Sequence, residues 1–187
     1  MMIYKIYRKV LHKLKGNSNG QLSLQANIKE GMKVGKNVYG LEGCTVDHGH
    51  CWLIEVGNDV VFAPQVYLLA HDTSTKKSLG YVRIGKIKIG NNCFIGARSF
   101  IMPNVEIGDN TIVGANSVVT KSFPANVVIA GNPAKIITTV EEYEDGLRKK
   151  FQQAPHFDYS YTLHGGISDM QKTEMIEKMT DNIGFVR

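Results

Sequence analysis

Cysteine, proline and tryptophan are scarce in this 187-residue chain, at three, five and one. The cysteines Cys44, Cys51 and Cys93 form no CxxC pair and their count is odd, so a disulfide framework is excluded and reduced thiols in the cytosol are expected. No apolar run approaches the roughly 20 residues of a membrane span. The start, MMIYKIYRKVLHKLKG, is broken by charge every two or three residues and lacks the apolar core of a signal peptide. Acidic residues are missing before Glu30, whereas Lys5, Arg8, Lys9, Lys13, Lys15 and Lys29 all precede it. The net charge of +5 therefore belongs to an N-terminal arm, and the body is nearly balanced. A second basic excess lies between Thr73 and Lys135, where only Glu106 and Asp109 oppose eight basic residues. Aromatics are not interleaved with those bases as in single-strand binders, so nucleic acid is not an expected partner. What is present, 43% apolar and 21% charged residues, fits a soluble chain long enough to bury a core.

The dominant pattern is a step of six. Ile89, Ile95, Ile101, Ile107, Val113 and Val119 mark it without a break. The residue after each is Gly at Gly90, Gly96, Gly108 and Gly114. Asn precedes the small or β-branched slot at Asn92, Asn104, Asn110 and Asn116. Helices repeat at three and four, and isolated strands simply alternate; a six-step over about 30 residues is a solenoid signature. The triplets Cys93-Phe94-Ile95, Ser99-Phe100-Ile101 and Val105-Glu106-Ile107 alternate in-out-in, as short strands do. The Gly-x-Asn between them is a corner, where Gly and Asn accept unusual backbone angles. Three sides close one turn, which predicts a mainly β, three-sided parallel β-helix of about five coils.

Upstream, Ile28, Val34 and Val46 keep the step, which slips and resumes at Val56, Phe62 and Leu68. Residues 72–83 are polar and predict a loop leaving the coil, a usual seat for chemistry on a rigid scaffold. Three regions follow: residues 1–27 as an amphipathic helix and cap, 28–140 as the coil, and 141–187 as a helical tail. Within 2–15, Ile3, Ile6, Tyr7, Val10, Leu11 and Leu14 share one helical face opposite the bases. Such a helix suits the open end of the coil or, alternatively, the acidic inner face of a membrane. Outward ladders of Phe94 with Ile112 and Phe100 with Val118 imply two buried sides, for which a homotrimer is the simplest closed ring.

Among six histidines, His12, His156 and His164 read as surface residues. His71 stands where the coil breaks, beside Asp72. A metal site wants two or three convergent ligands, and Asp47-His48-Gly49-His50-Cys51 offers no clear third, so no metal is expected. There is no GxSxG and no Walker loop, and Cys93 takes an inward slot. For an enzyme, a single histidine base is the economical mechanism.

These blocks resemble the left-handed β-helix hexapeptide acyltransferases, on the branch of maltose, galactoside and capsular-polysaccharide O-acetyltransferases. The resemblance rests on Ile54–Pro64, Leu69-Ala-His-Asp72, Ile89–Gly96, Val113–Lys121 and Ala130-Gly-Asn-Pro-Ala-Lys-Ile136. It implies a left-handed coil, a homotrimer with sites between subunits, and His71 as the catalytic base. It also implies acetyl-CoA along the last coils, beside Gly96, Ala97, Gly114, Ala115, Thr120 and Lys121, with Lys135 near the nucleotide end. Phe94 stands where relatives carry Trp beside the acetyl group. Asp72 or Asp47 would orient His71, while Asp47, His50 and Trp52 lie about one coil earlier as candidate acceptor contacts. Trp52 equally suits a bulky core filler. The expected reaction is O-acetylation of a saccharide hydroxyl. Acetylation of a sugar amine or of serine, and a catalytically silent trimeric scaffold, are the alternatives.

Overall fold

In a computed structural model, residues 23–180 and 183–187 are described; the expected basic helix at 2–15 lies outside them. The chain divides into two units, residues 1–140 and 141–187.

The first described helix, α1 (Leu24–Lys29), is capped by Ser23, whose hydroxyl accepts the Ala26 amide. The coil follows. Its first face stacks β1 (Lys33–Val34), β3 (Ile54–Val56), β8 (Ile87–Ile89) and β11 (Val105–Ile107). The second stacks β2 (Thr45–Val46), β5 (Tyr67–Leu68), β10 (Phe100–Ile101) and β13 (Val118–Val119). The third stacks β4 (Val61–Phe62), β9 (Phe94–Ile95), β12 (Ile112–Val113) and β14 (Val127–Gly131), then β15 (Ala134–Thr139). Pairing within each face is parallel until β15, which returns antiparallel to β14. Each face is four parallel strands deep, and the isolated parallel bridges of Tyr39 with Val61 and of Ile107 with Phe123 add a further rung to the third and first faces.

Two residue types that the repeat groups together do different work. Asn92, Asn104, Asn110 and Asn116 all have φ between 53° and 64°, the left-handed region. The glycines answer a close approach instead. A Cβ on Gly96 would lie 2.5 Å from the Ala115 amide nitrogen, and one on Gly90 would lie 2.7 Å from that of Asp109. Neighbouring turns touch backbone to backbone there, and any side chain would force them apart. Arg98, with φ 58°, takes the left-handed corner where the repeat lacks Asn.

Inside, Leu68, Ile95, Ile101, Ile107, Val113, Val119 and Ile129 are fully buried in ladders along the axis. The small slots beside them are buried too, and their hydroxyls are satisfied by carbonyls of the coil. Ser99 Oγ donates to Gly114 O at 3.0 Å and Thr111 Oγ1 to Pro124 O at 3.3 Å. Cys93 Sγ–H points at Gly108 O. Small polar groups therefore fit a dry axis without an orphaned donor.

In the second unit, α3 (Val140–Gln153) runs on from the coil and α4 (Asp169–Lys178) opens on a capping box of Ser168 and Gln171. A short parallel pair, β16 (His156–Phe157) with β17 (Phe185–Val186), joins the segment after α3 to the last residues. Phe151, His156 and Phe185 stack in one aromatic cluster there.

Candidate active site

The site forms where the winding is interrupted. On the second face Thr45 lies beside Tyr67 and Val46 beside Leu68. The chain leaves the coil after each of these strands, at the same edge. After β2 it makes a 3-10 stretch, His48–Leu53, before re-entering as β3. After β5 it makes the hairpin β6 (His71–Asp72) and β7 (Arg83–Ile84), with a short helix α2 (Lys76–Leu79) at its tip. Ladder partners are 22 apart across the first interruption, 33 across the second and 18 in the regular coils. Stacking then brings Asp47 against His71, although 24 residues separate them.

His71 Nδ1 and Asp47 Oδ2 are 2.5 Å apart. The Asp47 side chain is 2% exposed, while that of His71 is 38% exposed. An ionised carboxylate can only accept, so the shared proton sits on Nδ1 and leaves Nε2 with a free lone pair. His50 stands on the other side of the same carboxylate, with Nδ1 3.8 Å from Asp47 Oδ1. That nitrogen is buried and has no hydrogen-bond partner among the described residues. The His50 ring lies 5.3 Å from that of His71 and 5.6 Å from that of Trp52.

Asp72, the other expected partner of His71, faces away from it. Its carboxylate accepts the Ser74 amide at 2.8 Å and pairs with Arg83 at 2.7 Å, clamping the base of the hairpin. The Ser74 amide and hydroxyl first, and Arg83 second, hold its carboxyl below the ordinary range. An aspartate next in sequence to a strand residue points to the opposite side, so adjacency misled where stacking decides. Trp52 is 55% exposed and is no core filler. Its neighbour Cys51 is the buried member, with Sγ directed to Asn27 O on α1.

Of the expected cofactor residues, Gly96, Ala97, Gly114, Ala115, Thr120 and Lys121 fall on two edges bounding the second face, and Phe94 and Lys135 on the third face. Gly96 and Gly114 stack in register, as do Ala97 and Ala115, the Asn116 amide donating to Ala97 O. Lys135 on β15 pairs with Ala130, whose Cβ closes over Gly114. Phe94 is 43% exposed on the outside of the third face, between Val61 and Ile112. Thr120 and Lys121 follow β13, on the edge that carries His71. Within one chain, the Gly96–Gly114 edge and the His71 edge are thus separated by the width of a face.

Two other chemistries are open to test on these side chains. Burial pushes the Cys44 thiol up to about 11 and raises those of Cys51 and Cys93, so none is a ready thiolate. Asp47, His50 and His71 bring possible ligand atoms within 4.8 Å of one another, a set of the type zinc accepts. As the side chains stand, Asp47 Oδ2 and His71 Nδ1 are engaged with each other.

The family description "Bacterial transferase hexapeptide (six repeats)" matches residues 86–121. A putative acetyltransferase of Dictyostelium discoideum is 38% identical over 144 residues, covering 73% of this chain and 75% of the relative. Protein CapG of Staphylococcus aureus is 43% identical over 113 residues, 58% of this chain and 66% of CapG. Galactoside O-acetyltransferase of Escherichia coli K12 is 36% identical over 112 residues, 58% of this chain and 54% of that protein. The chain thus spans between about half and three quarters of these relatives' lengths. It belongs to the hexapeptide-repeat acetyltransferases.

Proposed function

We propose that the chain is an acetyl-CoA-dependent O-acetyltransferase acting on a saccharide hydroxyl, with His71 as general base in direct transfer. The observation that carries this is the hydrogen bond from His71 Nδ1 to the buried Asp47 carboxylate, which leaves Nε2 as acceptor on a partly exposed ring.

An alcohol is a poor nucleophile until its proton is removed as it attacks. Nε2 of His71 takes that proton while the oxygen adds to the thioester carbonyl. The Asp47 carboxylate stabilises the imidazolium that results and keeps the ring in one tautomer. Collapse of the tetrahedral adduct breaks the carbon–sulfur bond, and the imidazolium returns its proton to the departing thiolate. Products are the acetyl ester and free coenzyme A.

Two features support a site shared between copies in a homotrimer. The His71 edge and the glycine edge lie on opposite sides of the same face, which favours a reacting centre completed by a second copy. The intervening face carries Tyr67 stacked on Phe100 at 4.5 Å, and the next face exposes Tyr39, Val61 and Phe94, apolar ladders of the kind a neighbouring copy covers. The saccharide reading is supported by the galactoside relative and by the polar cluster of Asp47, His50 and His71 beside an exposed indole. No helix among the described residues is long and apolar enough to cross a membrane.

The test is release of coenzyme A from acetyl-CoA with panels of saccharides, sugar amines and serine. His71→Ala should lose activity about 10²–10⁴-fold while its assembly mass stays that of the parent. Undiminished turnover in that variant overturns the base. Transfer to serine or to amines alone overturns the acceptor class.

A further inference from the structure

An indole beside a general base is a costly thing to leave in water. Trp52 exposes about half its surface, yet the segment that carries it is firmly held. Cys51 next to it is fully buried and contacts Asn27 of α1, and Leu53 and Ile54 lead straight into the coil. On the backbone side Trp52 Cβ comes within 3.1 Å of the place a Gly31 side chain would occupy. Its exposure is thus set by the scaffold, and the indole is aimed outward next to His50.

Resting on the acetyltransfer reading above, we propose that Trp52 is the floor of a pyranose-binding subsite, on which the acceptor ring stacks while one of its hydroxyls reaches His71 Nε2. The chemistry of this cluster is two-sided in the way a sugar ring is two-sided. A pyranose gathers C–H bonds on a face, which suits an aromatic surface, and carries hydroxyls at its rim, which suit polar groups. Here the aromatic surface and the polar groups are adjacent: Trp52, then His50 at 5.6 Å, then His71 a further 5.3 Å on. A small linear acceptor such as serine covers little of an indole and gains little from it. Trp52 accordingly selects rings over linear acceptors, as a specificity-determining contact outside the proton transfer itself.

Trp52 is the chain's only tryptophan, which makes the subsite directly visible. Intrinsic fluorescence of the full-length protein, with His71→Ala to prevent turnover, is titrated with methyl glucoside, methyl galactoside, methyl N-acetylglucosaminide, glycerol and serine. At least one pyranoside should shift the emission saturably, and glycerol and serine should not. In the active protein, Trp52→Ala should raise KM for that pyranoside about tenfold with kcat within about twofold. Trp52→Phe should recover most of the loss, and the sedimentation mass should be unchanged. Pyranoside turnover with silent emission and an unaltered KM would overturn the platform and leave the acetyltransfer reading standing. A change of assembly mass in Trp52→Ala overturns it as well, by assigning the indole to a neighbouring copy. Activity confined to serine or amines overturns both readings.

Discussion

Residues 87–119 and residues 45–86 wind over the same three faces, yet only the second stretch interrupts itself. In the uninterrupted stretch every sixth residue is buried, the polar slots Cys93, Ser99, Thr111 and Ser117 bond carbonyls of the coil, and the turns approach backbone to backbone. In the interrupted stretch two segments leave the coil at one edge and bring together Asp47, His50, Trp52 and His71. Repetition supplies rigidity, and departures from it supply convergent side chains. A site made of non-repeating residues is thereby hung on a frame that does not yield.

The contrast is open to attack, beginning with the greatest effect. Asp47→Asn keeps the shape of the buried side chain but can no longer stabilise an imidazolium. Activity should fall by about 10²-fold or more, measured as coenzyme A release, with the melting midpoint little moved. If the melting midpoint fell sharply together with the activity, Asp47 would belong to the frame rather than to the chemistry.

Next come two identical substitutions in the two stretches. Gly96→Ala must push a Cβ into the Ala115 amide at 2.5 Å and should destabilise by about 1–3 kcal/mol in urea unfolding. Gly49→Ala, in the 3-10 segment, meets nothing nearer than Asp47 Oδ1 at 3.5 Å and should change stability by less than about 0.5 kcal/mol. Equal costs would erase the distinction between frame and insert.

The smallest effect concerns acid. Along one corner the side-chain oxygens of Asn58, Asn91 and Asp109 accept the amides of Lys36, Asn58 and Asn91 in turn. The Asn91 amide and side chain hold the Asp109 carboxyl below its ordinary value of 3.8. A carboxyl whose folded value is lowered contributes stability above the unfolded value, and that contribution is lost as pH falls through the folded value. Asp109→Asn retains the accepting oxygen, so it should unfold like the parent at about pH 5 and be less weakened than the parent at about pH 2.5. Parallel acid sensitivity would mean the ladder does not depend on that charge.

Much of this arrangement is legible in the amino-acid order, and the part that is not has a physical cause. Ile89 through Val119 announce the coil because each position sees the same environment six residues later. The interruption at 48–53 hides because Cys51 and Ile54 remain apolar and buried while the winding count slips. The choice between Asp47 and Asp72 is unreadable from spacing, since it depends on which strands lie side by side. Only the register of Val46 with Leu68 places one carboxylate under the imidazole and turns the other toward Arg83. Trp52 is ambiguous for a similar reason: apolar residues in a 3-10 segment face in or out according to what anchors the segment, and that is Cys51. The two-edge distribution of Gly96, Gly114, Thr120 and Lys121 follows from a three-sided winding, but its meaning emerges only when the edges are compared.

The reversal at β15 has a consequence of its own. Stacked parallel turns have no intrinsic last member, and a bare final rung invites another chain to continue the pile. By doubling back along β14, residues 134–139 occupy the hydrogen-bonding groups of that rung with a strand running the wrong way for further winding. That rung of the third face is thereby closed to a further parallel turn.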